Sequence, residues 1–389
     1  MWRAFGVRWR SAAFAFVLVA LALEAGSALI CHLLPAYPES GRFLWNPDLE
    51  QVRTNWIAGS SMLDRDNGGF VAPALARDPE FGDAQPCGSA YGDSFTSGYE
   101  VAFGQGWVER LSHLLGCRIA NYAVGGYGID QAYRRFEGTH DGSRFALLGL
   151  DVNGIMDVVS QYDGWLGSAP VPTALKGRFV LTPLKQLNWI PLPDLDADKF
   201  VALNRNPEKY LPESYFLPGN QDGAVIASFP YTLSLLRVTQ MPSVSDMLLG
   251  HPQWTRLYQA DHPSGALPLM IAISEAFAKL AHARGQSPLI VVLPVSESFR
   301  EAQDNGQFEY VSLVDALRAR NIELLDVGTT MVAARGGSAA CEYFIQHNRG
   351  LAAWIRGALP CGGHYSSQAH AAIAERIYSE FKQRRILER

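Results

Sequence analysis

Charge is scarce in this 389-residue chain: Asp, Glu, Lys and Arg make up 18% of it, and the net charge is −5. No basic stripe stands out, which argues against nucleic acid as a partner. HExxH, CxxC and glycine-rich phosphate loops are all missing, so neither a catalytic metal, a nucleotide nor another cofactor is expected. There is no internal repeat and no low-complexity tract, which excludes a solenoid. Cysteine is sparse, at five residues.

What is present is apolar residue, at 48% of the chain, enough for a large core in one elaborated domain or two modest ones. The first ten residues carry Arg3, Arg8 and Arg10 with no acid, and an apolar run follows from Ala12 to Leu34, interrupted by Glu24 and the small Gly26 and Ser27. About 20 apolar residues span a bilayer, and arginines ahead of them keep the amino terminus inside. Residues 1–34 are therefore expected to anchor an exported, periplasmic body in a membrane. A cleaved signal peptide is the alternative, with Ala12–Leu23 as its apolar region and Ala25 or Ala28 before the cut. A plain buried helix fits the flanking arginines least. Cys31 follows Ile30 instead of a small residue, so lipid attachment there is not expected.

Cys87, Cys117, Cys341 and Cys361 remain for the body. In an exported domain they can form two disulfides, in three pairings. Cys87 with Cys117 and Cys341 with Cys361 is attractive: the first two open neighbouring strands, and the last two close a loop before the final helix. Four free buried thiols is the alternative.

Residues 35–85 are rich in Pro, Gly, Asn and Asp without periodicity and read as a stalk and lead-in. Within it, Trp45, Trp56 and Phe70 suggest local packing on the body. From residue 86 to 389 strands and helices alternate. Strands are expected over Gly88–Tyr91, Ile119–Val124, Arg144–Leu150, Pro288–Leu293 and Ile322–Asp326. Helices are expected around Trp107–Leu115, with Gly116 as cap, and over Ile129–Phe136, Leu269–Ala283, Phe308–Arg320 and Ser367–Arg384. This pattern predicts an α/β fold, a three-layer α/β/α flavodoxin-like parallel sheet of about five strands. Residues from about 164 to 268 break the rhythm. So long a stretch is not a structureless loop in a compact domain, and it reads as an inserted cap over the carboxyl edge of the sheet, or else as a peripheral elaboration.

Gly92-Asp93-Ser94 reads as a nucleophilic serine on a turn at a strand end, where open α/β sheets bind ligands. His364, flanked by Gly363 ahead of the last helix, is the best-placed base; His32, His113, His251, His262, His282 and His370 sit in the anchor, in helices or in the insertion. Gly92-Asp93-Ser94, Asn121-Tyr-Ala-Val-Gly-Gly126 and Gly363-His364-Tyr365-Ser366 together resemble the SGNH (GDSL-type) serine hydrolase superfamily. Gly125-Gly-Tyr-Gly-Ile-Asp-Gln-Ala132 is similar to its membrane-anchored bacterial branch. The resemblance covers Cys87 to the carboxyl terminus, apart from the insertion. It implies Ser94 as nucleophile, and oxyanion donors from the Ser94 and Gly126 N–H groups and an asparagine side chain. The usual Gly-x-Asn-Asp block is here Gly149-Leu-Asp-Val-Asn153, so either Asn153 donates from a longer loop or Asp151 holds the position without donating. Asn153 is favoured, since an ionised aspartate only accepts; its other reading is a cap for the following helix.

The family's orienting Asp, three residues before the His, is replaced by Cys361. A backbone carbonyl, Asp326 or Glu342 could stand in. Asp93 is expected to shape its turn through backbone hydrogen bonds rather than transfer protons. The function implied is an exported serine esterase or deacylase that cleaves an acyl ester through a Ser94 acyl-enzyme. An O-acyltransferase acting on a cell-surface polysaccharide is the first alternative, and a non-catalytic SGNH-like envelope component the second.

Overall fold

Strands covered on both faces must be apolar along their whole length, and three segments meet that demand: Gly88–Tyr91 (β1), Phe145–Asp151 (β3) and Ser287–Leu293 (β4) are buried almost throughout. With Ile119–Asn121 (β2) and Leu324–Asp326 (β5) they form one five-stranded sheet in the order β5-β4-β3-β1-β2. Every pairing is parallel. The register runs from Gly88 opposite Phe145 to Leu293 opposite Asp151. The chain leaves β1, forms β2 on one side and returns to form β3 on the other. The carboxyl ends of β1 and β3 therefore flank the point where strand order reverses, the place such sheets bind ligands.

The computed structural model describes residues 2–33, 43–57, 62–64, 81–82, 84–166, 174–249, 251–335, 340–347, 361–384 and 386. Phe70, and with it much of the expected stalk, lies outside them. The chain divides into two compact units. One comprises residues 63–161, 176–192 and 250–389 and holds the sheet. There Tyr91 of β1 meets Phe136 of helix Ile129–Gly138, and Phe136 meets Phe277 of helix Ala266–Ala283 at 4.6 Å. Phe145 of β3 meets Phe381 of the final helix, Ser367–Arg384, at 4.8 Å. Helix–sheet–helix layering follows from these aromatic contacts, each burying a large apolar area. Helix Trp107–Leu115 ends at Gly116 in the left-handed conformation, as its sequence predicts. Disulfides join Cys87 to Cys117 and Cys341 to Cys361.

The other unit comprises residues 1–62, 162–175 and 193–249. Its amino-terminal helix, Trp2–Leu33, contains Ala12–Leu33, which is long and apolar enough to cross a bilayer and only 6% buried. The second helix of that kind, Ala266–Ala283, is mostly buried in the sheet unit, as a core helix is. Residues 43–57, expected as stalk, are structured. Leu44–Trp45 pairs in parallel with Val225–Ile226, and Trp45 donates its indole N–H to Asn204 O at 3.1 Å. The Trp45 ring meets Tyr162 and Trp165 edge-on, and Trp56 lies 4.7 Å from Phe200. These tryptophans find their apolar partners in residues 162–249.

The expected single insertion over residues 164–268 is thus divided. Part of it builds this unit with the amino-terminal segment. The hairpin Arg178–Leu181 with Leu187–Ile190, and the residues from 251 on, belong to the sheet unit.

Candidate active site

The turn after β1 is shaped by what cannot fit there. Gly92 has φ +151°, and a Cβ on it would lie 2.4 Å from Thr96 Oγ1 and 2.8 Å from Gly149 O. A Cβ on Gly149 in β3 would fall 1.8 Å from the same Thr96 oxygen. Two glycines therefore let β1 and β3 close around Thr96. The short helix Ser94–Ser97 starts immediately, with Asp93 as its N-cap. Asp93 Oδ1 accepts from Phe95 N at 2.8 Å and Thr96 N at 3.3 Å, the turn-shaping expected of it. Neither bond uses the Ser94 N–H.

The glycine turn after β2 is brought alongside. Val124 N donates to Gly92 O at 3.0 Å, and a Cβ on Gly125 would stand 3.7 Å from Ser94 Cβ. Asn121 fastens this edge, donating from Nδ2 to Thr96 O and accepting from Ala123 N. That inward turn of the Asn121 side chain accompanies an end to β2 earlier than the apolar run through Val124 suggests. Gly126 follows with φ +81°.

His364 lies on a short strand, Cys361–Tyr365, antiparallel to Phe344–His347, rather than in a loop. The Cys341–Cys361 bridge joins the start of this strand to the residues ahead of Phe344, and Tyr365 donates its hydroxyl proton to Pro294 O at 2.6 Å, just beyond β4. The imidazole rests between Phe95 and Tyr99, with ring centroids at 5.1 and 5.0 Å. Its Nε2 is 2.8 Å from Ser94 Oγ. Its Nδ1 is 2.9 Å from Glu100 Oε2.

The acid beside the imidazole is therefore Glu100, neither Asp326 nor Glu342, and no backbone carbonyl is needed. Asp326, at the end of β5, accepts from the Tyr310 hydroxyl at 3.1 Å and from Thr329 N and Oγ1. Glu342 meets the hairpin through its backbone carbonyl, which accepts from Ser366 Oγ at 2.8 Å. Glu100 reaches His364 because the chain reverses after the short helix. Gly98 caps that helix in the left-handed region, and Glu100 itself has φ +66°. A glutamate held there costs about 1–2 kcal/mol against ordinary backbone. The one signal available in sequence was an acid just past a glycine, one turn beyond the serine.

A carboxylate only accepts, so Glu100 fixes the Nδ1–H tautomer and leaves the Nε2 lone pair facing the Ser94 hydroxyl. Such an arrangement can take the serine proton as oxygen attacks a carbonyl, and can hold the resulting imidazolium.

Below the nucleophile, Asp93 and Asp151 share a hydrogen bond. Burial pushes both carboxyls up; Asp151 goes well above the usual range because the Asp93 charge adds to its burial. Asp151 Oδ1 also accepts from Gly154 N at 2.5 Å. Asp151 thus supports the turn Asn153–Ile155, and Asn153 is not that turn's side-chain cap. Nearby, burial raises Asp157 to about 7 against the opposing charge of Lys176, which is paired with Asp130.

No family model matches the sequence, and no curated protein is similar to it. Among solved structures, one similar to the chain is a protein of the G-D-S-L lipolytic family from Desulfitobacterium hafniense DCB-2. It shows 11% identity and a TM-score of 0.35, over 75% of this chain and 97% of that one. Another is YxiM of Bacillus subtilis, with 10% identity and a TM-score of 0.33 over 77% of this chain and 57% of that one. Likenesses this distant carry no function, and the chemistry of the site rests on its own geometry.

Two outcomes test this construction. Gly149→Ala should displace Thr96 and Ser94, lowering both the thermal midpoint and any Ser94-dependent activity, the latter by about 10²-fold, as small misplacements do. Asp151→Asn should keep both hydrogen bonds of Asp151 without the titration. A raised folded-state pKa means the folded protein binds more protons, so the contribution of Asp151 is complete below about pH 4 and is lost as pH rises through the folded value. Urea unfolding should show Asp151→Asn gaining on the wild type as pH rises above about 4. A difference independent of pH would reject the shared proton.

Proposed function

We propose that this chain is a serine hydrolase of SGNH type, and more particularly a membrane-anchored, extracytoplasmic esterase or deacylase. The observation that carries the reading is the single imidazole of His364 held between Ser94 Oγ and Glu100 Oε2 at 2.8 and 2.9 Å. Ser94 Oγ attacks the acyl carbonyl as His364 Nε2 takes its proton. The imidazolium, steadied by Glu100, returns that proton to the leaving alkoxide. Water, activated by the same imidazole, then releases the acyl group from Ser94.

The tetrahedral oxyanion is met by the Ser94 and Gly126 N–H groups and by Asn153. The capping of helix Ser94–Ser97 by Asp93 leaves the Ser94 N–H for this purpose, and the glycine turn beside Ser94 lets the second donor approach. With Asp151 engaged by Asp93 and Gly154, Asn153 is the side chain of its block suited to donate. Removing one such donor costs about 10²–10³ in rate. Export is supported by the apolar Ala12–Leu33 helix behind three arginines and by the two disulfides, which persist in oxidising compartments. A non-catalytic role drew its support from the missing acid and the displaced asparagine, and Glu100 beside His364 Nδ1 answers the first of these.

A fluorophosphonate probe should label the wild-type chain on Ser94 and leave Ser94→Ala unlabelled, and p-nitrophenyl acetate cleavage should fall to background in the same variant. Unlabelled Ser94 in folded protein would end the assignment. Product analysis with an oligosaccharide present separates the outcomes: free acid supports hydrolysis, and acylated sugar would move the assignment to transfer. Glu100→Gln offers an amide to Nδ1 and disfavours the reactive tautomer, so kcat should drop by about 10³–10⁴ with KM little changed. A loss below tenfold would remove Glu100 from the machinery.

A further inference from the structure

Glu24 interrupts the apolar run of the amino-terminal helix, and an ionisable side chain at such a position needs a partner. Its partner is the start of a second helix, Tyr231–Thr239. The Glu24 carboxylate accepts from Tyr231 N, from Thr232 N at 3.1 Å and from the Thr232 hydroxyl at 2.7 Å, and Ser27 Oγ lies 3.2 Å from that hydroxyl. The negative group at a helix amino terminus meets unsatisfied N–H groups and the favourable end of the dipole. The His32 ring, two turns further along the anchor, stacks edge-on against Tyr231 at 5.6 Å. Helix Tyr231–Thr239 is therefore fastened to the anchor at a fixed level, about 14 Å of helix before Leu33.

On this helix and the one after it, large apolar side chains are uncovered among polar ones. Phe229, Leu233 and Leu236 are exposed beside Met247, Leu248 and Leu249 at the end of helix Pro242–Leu249, with Phe229 and Leu248 more than three-quarters exposed. Leu29, Ile30 and Leu33 of the anchor are exposed likewise. Monomeric soluble proteins rarely leave such a contiguous face in water.

We propose that helices Tyr231–Thr239 and Pro242–Leu249 dip into the outer leaflet beside the anchor, with lipid tails as the occupant of this face. The proposal rests on the reading of Ala12–Leu33 as a bilayer span. With Arg3, Arg8 and Arg10 inside, the Glu24 end of the span faces outward. A point about 14 Å short of its end lies within the outer half of a hydrocarbon core about 30 Å thick. The first of the two helices is bonded to the span itself, through Glu24 and His32. Glu24 then serves as the polar pin that fastens the helix pair to the span within the outer leaflet, its charge satisfied by that pair rather than by water.

The test uses the full-length chain, with Cys31→Ser as background, in vesicles of phosphatidylethanolamine and phosphatidylglycerol. An environment-sensitive nitrobenzoxadiazole label is attached at Leu233→Cys, Leu236→Cys or Leu248→Cys. All three side chains are exposed, so labelling leaves the packing intact. Leu21→Cys reports on the anchor, and Asp194→Cys, whose native side chain is 85% exposed, reports on water. The expected result is quenching of the three labels by doxyl lipids, with iodide quenching several-fold weaker than at Asp194→Cys. Iodide access equal to Asp194→Cys, while Leu21→Cys is quenched by doxyl lipid, would overturn the proposal and leave the anchor standing. Shielding from both quenchers would mean a protein covers the face, and would also overturn it. Failure of lipid to quench Leu21→Cys would overturn the anchor and the proposal together.

Discussion

The imidazole of His364 has to meet two groups that lie far back in the chain, and the rest of the sheet unit is arranged around that meeting. Ser94 and Glu100 belong to one short segment, a helix and a reversal, while the base comes from a hairpin 264 residues beyond Glu100. Each side is pinned separately. On the first, Gly92 and Gly149 admit the Thr96 hydroxyl between two strand ends, and Asp93 caps the helix that carries the serine. On the second, the Cys341–Cys361 bridge and the bond from Tyr365 to Pro294 hold the hairpin to the end of β4. Phe95 and Tyr99 then brace the ring on its faces and edge.

On the proposed reading the acid comes from the segment that carries Ser94 and not from the strand that carries His364. Cys361 on that strand is joined to Cys341, a bridge that favours the hairpin chiefly by restricting the unfolded chain. The cost moves to Glu100, a glutamate in left-handed backbone. Strained residues of this kind persist where their surroundings over-determine them, and Gly98 on one side with His364 on the other does so here. The Asp93–Asp151 pair follows the same economy: one proton held by burial lets two carboxyls share the space below the serine.

Much of this was legible in the sequence, for a physical reason. Strands buried on both faces are continuous apolar runs, so β1, β3 and β4 and their parallel arrangement could be read directly, as could the Gly116 cap and the final helix. Ser94 and His364 could be read because each sits on a glycine-bearing turn or hairpin. Glu100 could not, since its position depends on two left-handed residues and a rotamer rather than on any spacing from the histidine. That Trp45 and Trp56 pack on the body could be read, but not against what: their partners, Tyr162, Trp165 and Phe200, lie more than a hundred residues away, and no periodicity links them. Helix Ser296–Asn305 is largely polar and helix Val327–Arg335 only weakly amphipathic, so neither announces itself by pattern.

Chains are made from the amino terminus onward, and the order of the site's parts along this chain has a temporal meaning. Residues 94–100 emerge early, carrying a hydroxyl and a carboxylate with no base between them. The imidazole arrives 264 residues after Glu100, on a hairpin braced by the later of the two disulfides. Until that hairpin closes on β4, the sheet can be complete while Ser94 remains an ordinary alcohol. Closure of that hairpin is thus the step that brings the imidazole to Ser94.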